Sequence, residues 1–227
     1  MTTAVSRAGP KGRAWLAALS LWASIGAAAA AEPAGGNDLR EFRVGMAVRD
    51  LPNEGYTGFA CANDPARTLR GWDEYAACPA DGDGLHGVRF RFDDTVNPRA
   101  GLDKYEGTQV AGHPVLLMLL IGDDQHVDGL RIETDPEARL YLRKKAFLFA
   151  NQIKARYGEE GWACRSQPAT GDEEPVGGVF IKERCEKTTA GRQLVLEREL
   201  LQHAGQDLRK FVGATRLTIL RVGGATG

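Results

Sequence analysis

Beyond residue 31 the chain contains one serine, Ser166, in "CRSQP". It lies two residues from a cysteine and outside any G-x-S-x-G elbow, which excludes the usual serine-hydrolase arrangement. There is no Cys-x-x-Cys pair for thioredoxin-type redox chemistry. No two of His86, His113, His126 and His203 have the H-E-x-x-H spacing of a helical zinc site, so neither a metal nor a cofactor is expected. Only Trp72 and Trp162 remain as tryptophans after residue 31, and each is close to a cysteine, which favours core packing against a disulfide over the aromatic platforms of a sugar cleft. The adjacent acids Glu159-Glu160 and Asp172-Glu173-Glu174 do not face one another as a glycosidase pair must. After residue 31 no apolar run is long enough to cross a bilayer, because "VLLMLLI" stops at seven residues.

Positive charge is also in short supply. The full chain has 29 Lys and Arg against 30 Asp and Glu. Without Arg7, Lys11 and Arg13 the ratio is 26 to 30, an excess of four negative charges. Bulk charge therefore offers nothing to nucleic acid or to an anionic membrane.

What is present begins with an export signal over residues 1–31: three basic residues, the run "AWLAALSLWASIGAAAAA", and Ala29 and Ala31 set for cleavage after Ala31. The same run is about long enough to span a bilayer as a retained anchor, but its alanine content favours cleavage. Cleavage leaves 196 of 227 residues, enough to bury a core as one domain or two small ones. Four cysteines behind such a signal predict disulfides and a periplasmic or secreted location. Local closure favours Cys61 with Cys78 and Cys164 with Cys185, each loop contributing about 3 kcal/mol on the chain-entropy account.

The two cysteine pairs share an echo. "EGYTGFAC" at 54–61 and "EGWAC" at 160–164 each run Glu-Gly-aromatic into a cysteine, which raises the choice between a duplicated site and a duplicated staple. Neither copy brings a base, a ligand set or a free thiol, so the staple is preferred.

The boundaries read as a flexible lead-in at 32–38, an N-terminal disulfide-closed segment at 39–96, a connecting loop at 97–112 and a C-terminal segment at 113–223. "FRVGMAVRDL", read as a helical turn around Met46 to Leu51, resembles over ten residues the opening Gly-Met helix of BamE-like outer-membrane assembly lipoproteins; that family's lipid-bearing cysteine is missing here. "GVRFRFDD" alternates as a half-buried strand. "HPVLLMLLIGDDQHVDGLRIET" reads as a hairpin with a central first arm, Gly129 being placed where a bulge absorbs a change of phase.

Residues 134–158 predict one long helix. Asp135 is its cap, Pro136 its first position, Gly158 its end, and Ala138, Leu142, Ala146, Phe149, Ile153 and Tyr157 its apolar stripe. Four strands follow: "GWACRS", "GVFIKERCEK", "RQLVLEREL" and "ATRLTILRV". The fold class expected is α+β, an antiparallel sheet packed by one long amphipathic helix, with a smaller N-terminal disulfide-closed β-rich segment.

"ADGDGLHG" at 80–87 has the alternating Asp81 and Asp83 of a calcium loop, but Leu85, His86 and Phe92 fall where ligands or the turn glycine should be, so a Gly/Asp turn is preferred. The function expected is that of an exported binding or accessory protein, more a binder than an enzyme, whose partner is an envelope protein or small ligand. Its contact surface would be the loop Asp94 to Gly112, with Trp72, Arg143, Lys144 and Lys145 as anchors. The alternative is an exported enzyme using acid-base chemistry around Asp81, Asp83 and His86.

Overall fold

The computed structural model describes residues 36–93, 108–189, 191–207 and 209–222. The export signal, residues 97–107 of the connecting loop and most of the proposed contact surface lie outside the described residues. In chain order the elements are β1 (Tyr56–Cys61), β2 (His86–Phe92), β3 (Gln109–Val110), β4 (His113–Ile121) and β5 (Val127–Thr134). They are followed by α1 (Leu140–Arg143), α2 (Phe149–Tyr157), β6 (Ala163–Ser166), β7 (Glu173–Glu174), β8 (Ile181–Thr189), β9 (Arg192–His203) and β10 (Val212–Arg221).

The α+β expectation is overturned. Among the described residues ten strands form one antiparallel sheet, and the longest α-helix has nine residues. The main path runs β1-β2-β4-β5-β10-β9-β8-β6, with β3 beside β4 and β7 beside β9. The N-terminal disulfide-closed segment supplies β1 and β2 to this same sheet, because β2 pairs with β4 from Phe90 opposite Leu117 to His86 opposite Ile121.

The expected long helix is broken, although its buried face was read correctly. Arg139 is extended, α1 ends at Arg143, and a 3-10 turn at Ala146–Leu148 leads into α2. The cause is the close approach of this backbone to β10. The Thr215 hydroxyl donates to the Ala146 carbonyl at 2.8 Å in the core. A Cβ on Gly213 would fall 2.6 Å from the Arg143 carbonyl oxygen, so only glycine admits the helix there. Ala138, Ala146, Phe149 and Ile153 are buried as the stripe required. At the end of α2, Lys187 Nζ meets the Tyr157 and Gly158 carbonyls at 2.6 and 2.9 Å, a cation at the negative end of the helix.

The hairpin follows its sequence. β4 lies between β2 and β5 with most residues buried on both faces, and the register slips where Leu120 opposes Gly129 but Ile121 opposes Val127. Asp128 is the extra residue, and a Cβ on Gly129 would come within 2.9 Å of Leu120 and 3.0 Å of Leu220. Gly45 and Met46 do not form a helix: Gly45 N–H donates to Val127, and Val127 N–H to Met46, which lays this stretch along the hairpin. Only Val48–Asp50 makes a 3-10 turn.

The two echoed motifs are the two edges of the sheet. Gly55 and Gly161 both adopt positive φ, 85° and 80°, and each turns the chain into an edge strand, β1 or β6. Cys61 closes β1 onto Cys78, at the end of the 3-10 turn Trp72–Ala77, and Cys164 closes β6 onto Cys185 directly opposite in β8. All four cysteines are paired. A free edge invites unwanted pairing, and each edge here is held by a covalent staple.

The staples differ in access. Cys61 and Cys78 are buried, whereas Cys164 is exposed on a four-residue strand with Lys154 Nζ 3.5 Å from its sulfur. Mild native reduction followed by alkylation and mass mapping is therefore expected to label Cys164 and Cys185 well before Cys61 and Cys78. Simultaneous labelling of all four would contradict this ordering.

Candidate ligand-binding cavity

The anchors expected from the sequence do not converge. Trp72 is in the core at 2% exposure, its indole N–H donating to the Pro52 carbonyl at 2.8 Å. Its ring packs edge-on to Phe42, Phe59 and Phe90. A side chain held in this way is a core residue rather than a surface contact. Arg143 is occupied with the Arg209 carbonyl at 2.6 Å and lies over the Phe211 ring, while Lys144 and Lys145 are exposed.

In the acid-base alternative the side chains of Asp81 and His86 bond to different partners. Asp81 Oδ1 accepts the N–H groups of Asp83 and Leu85, both at 3.0 Å, and so shapes the Gly/Asp turn. His86 instead meets the Cys78 carbonyl at 2.6 Å and Asp123 at 3.1 Å. Among the described residues the one trio spaced for a metal is Cys164, Glu183 and Cys185, whose two sulfurs are bonded to each other.

A cavity of about 240 Å³ lies instead between α2 and the sheet. Ile132 of β5 and Leu217 of β10 stand opposite one another on the core face of the sheet. Phe149 and Ile153 project from α2 by their spacing of four, and Leu39 and Val110 complete the apolar lining. Arg40, Gln152, Arg156 and Tyr157 add its polar part. The volume is slightly below the roughly 300–1,000 Å³ of pockets that take drug-sized ligands.

The wall at Leu39 and Arg40 is fixed by a buried ion pair. Asp38, expected at the end of a flexible lead-in, is 2% exposed; its carboxylate accepts from Arg192 at 2.6 Å and from Val44 N–H at 2.8 Å. Arg156 donates to the Asn37 carbonyl at 3.0 Å, and the Tyr157 hydroxyl donates to the Asp38 carbonyl at 2.8 Å. Burial pushes the Tyr157 hydroxyl above its ordinary pKa, so it stays a neutral donor through the physiological range, although Arg156 pulls the other way. Arg40 adopts φ 47° and lays its guanidinium over the Phe92 ring at 3.3 Å. Behind Phe149 the His113 ring stacks at 5.1 Å, its pKa lowered by burial and then by Lys145, which favours the neutral imidazole.

These residues left little trace in the sequence. Arg156 reads as a solvated charge on the polar side of a helix, and its carbonyl partners are 118 and 119 residues away. The only available signal was the mixed apolar and polar lining contributed by Phe149, Gln152, Ile153 and Arg156, which is indistinguishable from an ordinary amphipathic helix.

No protein-family model, no curated protein and no solved structure matches the chain.

Proposed function

We propose that the protein is exported to an oxidising compartment, the periplasm or the cell exterior, and acts there as a binding or accessory protein. Its ligand is a small molecule with an apolar body and an anionic end, held between α2 and the sheet. The export reading rests on the N-terminal signal pattern and is supported by the pairing of all four cysteines. The binding reading rests on one observation, the apolar gap lined by Leu39, Val110, Ile132, Phe149, Ile153 and Leu217 with Arg156 among its polar lining residues. An apolar body fills the gap and releases water, while an acidic group accepts a charge-assisted hydrogen bond from Arg156.

Decanoate has about a dozen non-hydrogen atoms, and it suits a space of this size. Calorimetric titration is expected to show decanoate binding at least tenfold more tightly than uncharged decanol, since a hydrogen bond to a charged group contributes about 1.5–3 kcal/mol. Gln152→Trp, which plugs the cavity from an exposed helix position, should weaken both ligands by at least tenfold without lowering the melting temperature. Unchanged affinity in that variant would remove the cavity as the site.

A further inference from the structure

The face of the sheet turned away from α2 carries a second pattern. One cross-strand row runs Arg89, Met118, Arg131, Thr218, Val195, Glu186, and the next runs Leu116, Glu133, Arg216, Glu197, Arg184, Arg165. In the second row the charges are compensated. Arg216 pairs with Glu133 at 2.9 Å and Glu197 at 3.4 Å, and Arg184 with Glu197 at 2.8 Å and Glu186 at 2.9 Å.

Toward β2 this compensation stops. Among the described residues no carboxylate lies within ion-pair distance of Arg89, Arg91 or Arg131. Arg131 has only the Thr218 hydroxyl, at 3.3 Å. Arg89 and Arg91 thus stand side by side without a carboxylate partner, in a chain whose overall balance is acidic after residue 31. Adjacent strands are about 4.8 Å apart and alternate residues about 6.8 Å, so the Cα atoms of Arg89 and Arg91 are roughly 7 Å apart and those of Arg89 and Arg131 roughly 10 Å. The Arg89 and Arg91 side chains can therefore reach one tetrahedral anion, whereas Arg131 is turned toward Thr218 of β10.

The surface here is concave. A bulge between Thr57 and Ala60 bends β1, the chain returns so that Ala60 opposes Thr68, and a groove of about 360 Å³ opens beside Arg89 and Arg91. Phe59, Pro65 and Leu116 give it apolar walls, and Thr68 a hydroxyl; Asp135 lies at its border and accepts Glu137 N–H at 2.8 Å. Arg91 lies over Gly58, where a Cβ would be 2.7 Å from its Nε, so glycine is what lets the guanidinium sit against this wall.

We propose that this groove is a second binding site, independent of the α2 cavity, for a small phosphorylated molecule with an apolar or aromatic portion. A phosphate dianion matches two neighbouring guanidinium groups, which bind it bidentately, better than a monovalent carboxylate does. A recess bounded by the Pro65–Thr68 segment admits a small molecule more readily than a flat bilayer.

The test uses the full mature chain and phenyl phosphate, followed by calorimetry at low salt. Binding is expected, with Arg91→Gln and Arg89→Gln each weakening it about tenfold and the double variant abolishing it. Arg184→Gln, on the compensated part of the same face, should leave the affinity unchanged, and so should the cavity plug Gln152→Trp. Equal weakening by Arg184→Gln and Arg91→Gln would reduce the effect to general charge and overturn the proposal. Absence of phenyl phosphate binding at millimolar concentration would overturn it too. Flotation with phosphatidylglycerol vesicles in that circumstance would reassign the arginines to a membrane surface.

Discussion

Trp72→Ala is expected to lower the free energy of unfolding by about 3–5 kcal/mol, as large-to-small changes of buried aromatics do. Among the described residues the indole is the largest fully buried side chain, and it joins β1, β2 and the segment before β1 through Phe59, Phe90 and Phe42. Each edge-on contact contributes about 0.5–1.5 kcal/mol beyond area burial, and the Pro52 carbonyl loses its donor as well. Urea unfolding should show a lower midpoint at an unchanged slope. Trp72→Phe should recover most of the loss, because it restores the packing and forfeits only the hydrogen bond. A loss below about 1 kcal/mol for the alanine variant would mean that this aromatic cluster does not secure β1 to the sheet.

Asp38→Ala is expected to cost a similar amount, about 3–5 kcal/mol, the usual penalty for removing one member of a buried ion pair. Arg192 is 8% exposed, and the change removes the Asp38 carboxylate from beside it. Val44 N–H loses its acceptor at the same time. Because Leu39 and Arg40 form one wall of the cavity, the variant should also weaken decanoate binding, even at temperatures where it remains folded. Adding Arg192→Met should restore part of the stability, since a well-packed apolar pair commonly replaces a buried salt bridge without loss. Equal stability of the single and double variants would show that the cost comes from the lost Val44 hydrogen bond rather than from the charge.

Local chemistry explains what the sequence made legible. The alternation of Val88, Phe90 and Phe92, the slip at Gly129 and the two short disulfide loops each depend on residues near one another in the chain, and each is found. The apolar stripe from Ala138 to Ile153 specifies which side is buried, but not that the backbone must come so close to β10 that Thr215 and Gly213 interrupt the helix. The connection of both halves through β2 and β4 is a pairing between strands that either half could have made elsewhere. For Trp72 the neighbouring cysteine favoured core packing, and the side chain is in the core, although the same local pattern also suits a surface anchor.

The cavity was least legible because it is made by distance in sequence. Asp38 and Arg192 are separated by 154 residues, and Tyr157 reaches a carbonyl 119 residues away. The echo "EGYTGFAC" and "EGWAC" marked two places correctly and for a structural reason: both are stapled edges of one sheet. The binding surface proposed from the intact sheet lies elsewhere, under α2 and on the opposite arginine face.

The most direct measurement of the central claim is methyl-resolved NMR of the isotope-labelled protein, from residue 32 onward, titrated with decanoate. The account predicts saturable shift changes at the methyl groups of Leu39, Val110, Ile132, Ile153 and Leu217, with the methyl groups of Leu116 and Met118 on the opposite face unmoved. Shifts confined to other residues, or none at millimolar decanoate, would contradict it.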